Sequence, residues 1–194
     1  MALSFAHAAA GYLVYEAARP SGPHRPGLLV SAVVLANAAD FDFVPGLLAG
    51  DPDLFHRGFT HTLGATVLVA VVAAVVAKVG RWRWTPGRVA AFTGAAYGTH
   101  LLLDYITSDV VPPHGARFLW PLSDAYYLAA HPLLGEIVID PAGRGAFFRS
   151  LLTPNALAHW GADVGMLVGL VVLVHALRAA WSAMTDATPV VEER

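Results

Sequence analysis

Five long apolar stretches constrain the fold of this chain more than any other feature of its sequence. They cover residues 3–18, 27–39, 61–77, 89–106 and 156–177. A helix that spans the hydrocarbon core of a membrane needs about 20 mainly apolar residues. The last three stretches reach this length when their flanks are counted, whereas the first is marginal and the second is short. The sequence therefore predicts an all-α, multi-pass membrane helical bundle with four to five spanning helices.

The composition agrees with a membrane location. Charged residues make up 13% of the 194 residues and hydrophobic residues 56%, whereas a typical soluble domain is about 25% charged. The net charge of −2 provides no basic surplus for binding nucleic acid through its phosphates. Because the chain has no cysteine, disulfides, cysteine zinc sites, iron–sulfur clusters and a cysteine nucleophile are excluded. The first stretch carries His7 and Glu16 and follows no positive region, so we expect no cleavable signal peptide.

The connections between the stretches predict the topology. We expect residues 1–181 to form one membrane-embedded helical domain and residues 182–194 to form a flexible polar tail. Antiparallel helices place the short connections and the C-terminus on one side and the long connections, 44–60 and 107–155, on the other. The first side has eight Lys and Arg residues and the second has four. Because positive charge is enriched in cytoplasmic loops, we expect a plasma (inner) membrane protein whose long connections face the extracytoplasmic side.

Histidine and aspartate residues collect at the side of the long connections. The candidates are His7, Asp40, Asp42, His56, His61, His100 and Asp104. His100 and Asp104 are four residues apart and share a helix face. A carboxylate within a spanning helix costs roughly 2.5 to 3.5 kcal/mol on insertion scales, and a bound cation would offset this cost. Imidazole nitrogen and carboxylate oxygen suit zinc, manganese or iron, so the residues indicate a divalent metal site.

The same residues have structural explanations that the sequence leaves open. The pair in the fourth stretch would also suit a polar packing contact. The two aspartates after the second stretch would also suit a helix end followed by an Asx turn. His7 would also suit a core histidine, and one of the two histidines before the third stretch would also suit a group that orients a ligand. A second pair with helical spacing, His159 and Asp163, is a further candidate.

Three motifs occur in a fixed order within residues 1–125. They are AADFDFVPG, which contains Asp40 and Asp42; HRGFTH, from His56 to His61; and HLLLDYIT, which begins at His100. With the early His7 and the later WPLS segment, they resemble the YdjM-like family of membrane-bound metal-dependent hydrolases. That family is in turn similar to zinc-dependent phospholipases C and single-strand nucleases. The resemblance implies a zinc cluster in which Asp104 bridges two metals and His7 binds one of them.

We therefore expect a membrane-bound, metal-dependent hydrolase that acts on phosphoester or lipid-type ester bonds near the membrane surface. The ligands would be His7, His56, His61, His100 and Asp104, with Asp40 and Asp42 as ligands or general bases. The expected cofactor is a divalent metal, foremost Zn²⁺, with Mn²⁺ or Fe²⁺ as alternatives. Arg57 would either bind a substrate phosphate as a catalytic residue or lie at the interface.

The expected partners are the lipid bilayer and a lipid or phosphoester substrate, and we expect no nucleic acid; the oligomeric state is left open. The alternative function is a non-catalytic membrane protein that binds or transports a metal ion or a proton. A transporter needs polar groups across the full depth of the membrane. Since the predicted polar groups collect at one side, the sequence favours a localised site over a path.

Overall fold

The chain folds into a bundle of helices. The computed structural model describes residues 4–19, 23–51, 54–110, 112–135, 138, 140 and 142–186. The α-helices are α1 (Ser4–Ala18), α2 (Pro26–Ala36), α3 (Phe43–Ala49), α4 (Leu63–Val79), α5 (Pro86–Ile106), α6 (Arg144–Ser150) and α7 (Pro154–Asp186). Two 3₁₀ turns lie at Ala38–Asp42 and Phe59–His61. No strand forms within the described residues, which confirms the predicted helical class. The helices α1, α2, α4, α5 and α7 coincide with the five apolar stretches.

Local sequence signals fix where the helices of the bundle begin. The Thr62 side chain accepts a hydrogen bond from the Ala65 amide at 3.0 Å and caps α4. Thr85 caps α5 in the same way, and Pro86 occupies its first turn. Such hydroxyl caps satisfy backbone donors that have no partner inside the helix. The cap at Thr62 places His61 just before the start of α4, where a 3₁₀ turn holds it in the interior.

Helix α5 lies at the centre of the bundle and packs against α1, α2 and α4. Its buried face includes Phe92, Ala96, Tyr97 and Leu101. At the crossing of α1 and α2, a Cβ on Gly11 would lie only 2.7 Å from the carbonyl oxygen of Ala32. The absence of a side chain at Gly11 therefore allows these two helices to approach closely.

Helix α7 differs from the others because it packs mainly against α1. Many of its apolar side chains are exposed, among them Val168, Val172 and Leu177. The outer face of α4 is likewise apolar and exposed at Val67 and Val71. Contiguous apolar surface of this kind is unusual for a soluble monomer and suits contact with lipid.

The number of helices that could span a membrane is smaller than the predicted four to five. Among the described residues, Pro154–Met184 is the one helix long and apolar enough to cross. A second candidate exists if α2 and the segment Ala38–Ala49, which are bent by 60° at their junction, count as one span. The 15 residues of α1 give a length of about 22 Å at about 1.5 Å per residue, shorter than a hydrocarbon core of about 30 Å. The four to five spans are therefore not confirmed.

A continuous helix crosses the predicted boundary between the domain and the tail. Helix α7 passes residue 182 and continues to Asp186. The remaining part of the predicted tail, residues 187–194, lies outside the described residues. The division at residue 181 stays a prediction.

Candidate metal centre

Four side chains from three parts of the chain converge on one point inside the bundle. Asp40 comes from the 3₁₀ turn after α2, His61 from the turn before α4, and His100 and Asp104 from α5. The Nε2 atoms of the two histidines are 3.2 Å apart. Oδ1 of Asp40 lies 3.4 Å from each of these nitrogens. Oδ2 of Asp104 lies 3.5 Å from Nε2 of His61 and 3.3 Å from Nε2 of His100.

These five separations are close to the edge length of a tetrahedron of ligand atoms around a metal ion. Zinc binds imidazole nitrogen and carboxylate oxygen at about 2.0–2.1 Å, so the edges of its tetrahedron are about 3.3–3.4 Å. The side chains of His61, His100 and Asp104 are buried, and that of Asp40 is 12% exposed. Neither carboxylate oxygen of Asp40 or Asp104 has a hydrogen-bond partner among the described residues. A buried carboxylate without a donor is costly, and a cation at the centre of the four atoms would remove that cost.

The two histidines direct the same nitrogen at the centre because their other nitrogen is engaged. Nδ1 of His100 lies 2.9 Å from the carbonyl oxygen of Ala36. A carbonyl only accepts, so Nδ1 carries the proton and Nε2 has a lone pair. Nδ1 of His61 lies 3.1 Å from Oδ2 of Asp42, which favours the same tautomer. Orientation of a ligating imidazole by an oxygen atom behind it is a common feature of metal sites.

The structure separates the roles of the two neighbouring aspartates. Asp42 lies behind His61, on the side away from the centre, whereas Asp40 faces the centre. Asp42 accepts hydrogen bonds from the Thr60 hydroxyl at 2.7 Å and from Nδ1 of His56 at 3.1 Å. The Tyr97 hydroxyl donates to the carbonyl oxygen of Thr60 at 2.7 Å and holds this turn against α5. Asp42 is therefore placed to orient His61.

His7 approaches the centre from α1. Its ring is buried and stacks on the His100 ring with centroids 3.8 Å apart. Its Nε2 lies 3.8 Å from Oδ1 of Asp104, the oxygen opposite the one that faces His61 and His100. Both ring nitrogens of His7 lack hydrogen-bond partners among the described residues. Asp104 is therefore placed between His7 on one side and the four converging atoms on the other.

Two sets of three ligand atoms are close enough to hold a metal. Atoms of His7, His100 and Asp104 lie within 4.8 Å of one another, as do atoms of Asp40, His56 and His61. All seven residues predicted as metal ligands or orienting groups therefore lie in one cluster. Ligand atoms in these numbers suit one or two divalent ions.

The electrostatic environment at His61 favours positive charge. Burial acts to lower the pKa of His61, but its contacts with Asp40 and Asp42, together with the charge of Asp104, outweigh burial and raise this pKa. The carboxylates that stabilise a protonated imidazole would also stabilise a metal cation at the same place.

Arg57 is held by a partner that the sequence analysis did not consider. Its guanidinium forms an ion pair with Asp109, and the Gly115 amide donates to the same carboxylate oxygen at 2.6 Å. These contacts join the HRGFTH segment to the loop that follows α5. Within the described part of the chain, Arg57 donates its hydrogen bonds from Nη1. Because Asp109 lies in a distant loop, no local pattern in the sequence indicates that it pairs with Arg57.

The pair His159 and Asp163 lies apart from the cluster. The His159 ring packs against Gly135, where a Cβ would overlap the imidazole. The two sets of ligand atoms do not include either residue. The assignment of these two residues as a ligand pair stays a prediction.

A second buried polar cluster joins α1 to α7 at the other end of α1. The Glu16 carboxylate is buried and lies 2.7 Å from Nη1 of Arg178 and 3.0 Å from Nε of Arg19. Nearby, the Tyr12 hydroxyl lies 3.3 Å from Nε2 of His175. The glutamate inside the first apolar stretch was a signal for this cluster that the sequence analysis left unused.

Comparison with known proteins adds a family. The chain matches the family model for the YdjM inner membrane protein over residues 1–187. It belongs to this family. No curated protein and no solved structure matches the chain. The match confirms the resemblance seen in the motifs, extends it beyond residue 125, and supports an integral inner-membrane location.

Proposed function

We propose that this chain is a membrane-bound, metal-dependent hydrolase that cleaves a phosphoester or lipid-type ester bond near the membrane surface. The observation that carries the proposal is the convergence of two imidazole nitrogens and two carboxylate oxygens at separations of 3.2 to 3.5 Å. A site of histidine and aspartate without cysteine is typical of catalytic rather than structural zinc, and a zinc ion held by four protein ligands would take the reacting water as a fifth ligand.

Each residue of the cluster has a role that follows from its position. Asp40, His61, His100 and Asp104 would hold the metal, foremost Zn²⁺, with Mn²⁺ or Fe²⁺ as alternatives. The second oxygen of Asp104 and His7 would hold a second ion if two are bound. In this proposal Asp42 is a positioning residue that fixes the His61 ring. His56 supports Asp42 from the other side and stacks on Phe43.

A zinc ion in such a site would supply a Lewis acid that lowers the pKa of coordinated water from far above neutrality to about 7. The residues of the chain provide a dry, rigid enclosure for this chemistry. Ala36 fixes His100 through its carbonyl, and Asp42 fixes His61, so the lone pairs are oriented before the metal binds. Preorganised groups of this kind need no rearrangement during the reaction.

Arg57 is the proposed contact for a phosphate. A guanidinium has five N–H donors, and its ion pair with Asp109 uses those of Nη1. The other donors would reach a phosphate oxygen while Asp109 keeps the side chain in place. In this proposal the site faces the extracytoplasmic side, because the connections with fewer basic residues lie there.

The experiment is metal analysis by mass spectrometry on the detergent-purified protein, combined with a hydrolysis assay on bis-p-nitrophenyl phosphate and on phospholipids. We expect at least one zinc or manganese per chain and metal-dependent hydrolysis. Asp104→Asn should abolish both. Asp163→Asn is the matched control, since it removes a helix carboxylate outside the cluster and should change neither.

The alternative function, a non-catalytic protein that binds or transports a metal ion or a proton, predicts a different result. It would give bound metal without hydrolysis of any substrate and uptake of metal into vesicles. The buried Glu16 at the far end of α1 is a polar group that a path would need. However, Glu16 is paired with two arginines, which suits a structural tie between α1 and α7. A finding of neither metal nor hydrolysis would reject the hydrolase and the metal-binding alternative and would leave proton handling as the function of the cluster.

A further inference from the structure

A groove with a volume of about 760 Å³ lies between α2, α4 and the beginning of α5. Its walls include Leu28, Leu35, Leu68, Val72, Val76 and Phe92. Along α5 the lining ends at Thr93, seven residues before His100, which is about 10 Å at the rise of a helix. The groove is therefore a separate feature that the proposed reaction does not use.

The groove opens on the side of the bundle. Four residues along its walls are half exposed: Val34 (47%), Leu68 (50%), Val72 (51%) and Val76 (49%), while Val89 and Phe92 at its floor are buried. The volume is within the range of about 300–1,000 Å³ that is usual for ligand pockets. An apolar groove that opens sideways on a membrane protein faces the lipid phase, so the chemistry of its walls suits a hydrocarbon chain.

Polar and aromatic groups close one end of this groove. Arg83 lines it between Trp82 and Trp84. The turn folds back on α4, because the Trp82 amide donates to the carbonyl of Ala77 at 3.0 Å. Gly80 permits the turn, since a Cβ there would lie 2.8 Å from Nε1 of Trp82. Tryptophan is typical of the level of the lipid headgroups, so Arg83 is placed where a headgroup would begin.

The basic residues of this turn differ in whether they have partners. Arg88 donates to the carbonyl of Ala18 at 3.0 Å and lies 4.4 Å from the centre of the Trp84 ring. By contrast, no carboxylate of the described residues lies within 4 Å of Lys78, Arg81 or Arg83. The end of an apolar groove thus presents positive charge that is not neutralised within this part of the chain.

We propose that the groove binds one acyl chain of an anionic phospholipid and that Arg83 holds the phosphate of this lipid. Basic pockets between membrane helices are typical sites for anionic headgroups, and arginine suits bidentate contact with phosphate. The apolar walls select a chain, and the positive charge at the end, which would repel the choline cation of a zwitterionic headgroup, selects an anionic headgroup. The site is independent of the metal centre and of the reaction proposed for it.

The test is native mass spectrometry of the full-length protein in detergent micelles. Dioleoyl phosphatidylglycerol and dioleoyl phosphatidylcholine, which have the same acyl chains, are the two probes. We expect one phosphatidylglycerol per chain to bind at least about tenfold more tightly than phosphatidylcholine. Arg83→Gln should remove this preference, since it removes one charge-assisted contact. Arg81→Gln removes the same charge from the same turn outside the groove and should keep most of it.

A second pair of variants tests the acyl chain. Ala73→Trp puts a large side chain into the groove and should weaken binding of both lipids. Val75 lies on α4 outside the lining, so Val75→Trp should leave the binding of both lipids unchanged. Equal affinity for the two lipids, or equal effects of Arg83→Gln and Arg81→Gln, would overturn the headgroup assignment. Unchanged binding in Ala73→Trp would overturn the groove as the site. A lipid-free dimer that Ala73→Trp dissociates would identify a second copy of the chain as the occupant instead.

Discussion

The assignment of Asp42 as a positioning residue makes a quantitative prediction. Replacing Asp42 with Asn keeps the size of the side chain but removes its charge and one of its two acceptor oxygens. In the structure, these oxygens accept hydrogen bonds from the Thr60 hydroxyl at 2.7 Å and from Nδ1 of His56 at 3.1 Å. Nδ1 of His61 lies 3.1 Å from one of them. An amide has one acceptor oxygen and cannot serve all three donors. The His61 ring would lose part of its orientation and of its basicity.

The expected cost follows from this loss. Removal of an oxygen that orients a ligating histidine typically lowers metal affinity by about 10- to 100-fold, which is about 1.4 to 2.7 kcal/mol. We expect Asp42→Asn to fall in this range. Asp40→Asn and Asp104→Asn should lose far more, because each removes the charge of an atom that faces the metal itself.

The assay is competition for zinc against a chromogenic chelator in detergent, supported by the visible spectrum of the cobalt-substituted protein. A positioning role predicts weaker binding with an unchanged four-coordinate cobalt spectrum. Loss of binding as complete as in Asp104→Asn, or a changed coordination number, would show that Asp42 is a direct ligand. Unchanged affinity would refute the orienting role. Thr60→Val removes one donor to Asp42 and a hydroxyl that lies 3.1 Å from Nδ1 of His61. Because it keeps the carboxylate, it should have a smaller effect of the same sign.

Three further predictions concern stability, each measured as the thermal midpoint of the detergent-solubilised protein. Removing metal with a chelator should lower the midpoint of the wild type but not that of Asp104→Asn, since a ligand at 100 times its Kd stabilises the folded state by about 2.7 kcal/mol; equal shifts in both would contradict a site at Asp104. Gly11→Leu should lower the free energy of unfolding by about 1–3 kcal/mol, because its Cβ would overlap the carbonyl of Ala32. An unchanged midpoint would show that α1 and α2 can separate. Arg178→Leu should lower the free energy of unfolding by about 1–3 kcal/mol, because it leaves the buried Glu16 with one arginine. Arg117→Leu breaks an exposed pair and should lower the free energy of unfolding by less than about 1 kcal/mol.

The structure also explains why the count of spanning helices differs from the prediction. The polar residues of the cluster lower the mean hydropathy of the helices that carry them, and α1 and α2 are short. Helix α2 meets the segment Ala38–Ala49 at an angle of 60°, and the 3₁₀ turn that begins this segment contains Asp40 and Asp42. Irregular backbone at membrane depth is tolerated where it is buried in protein or lines a cavity. The residues that weaken the membrane signal are thus the ones that build the centre.

The sequence by itself determined the helical class of the fold and singled out the residues that the structure brings together. Runs of apolar residues about one helix long predicted the positions of α1, α2, α4, α5 and α7. The cost of charge in an apolar segment singled out His7, His100 and Asp104, and their spacing placed the last two on one face of α5. These inferences hold because they depend on helical periodicity and on solvation, which are local properties of the chain.

The tertiary structure alone decided where each atom of the cluster lies. Only the packing of α5 against the two 3₁₀ turns brings Nε2 of His100 to 3.2 Å from Nε2 of His61, which is 39 residues away. The same packing puts Asp40 in front of His61 and Asp42 behind it, although the two aspartates are equivalent in sequence. It also gives Arg57 its partner in a distant loop. Ligation depends on distances of a few ångströms between remote segments, and neither periodicity nor composition carries that information.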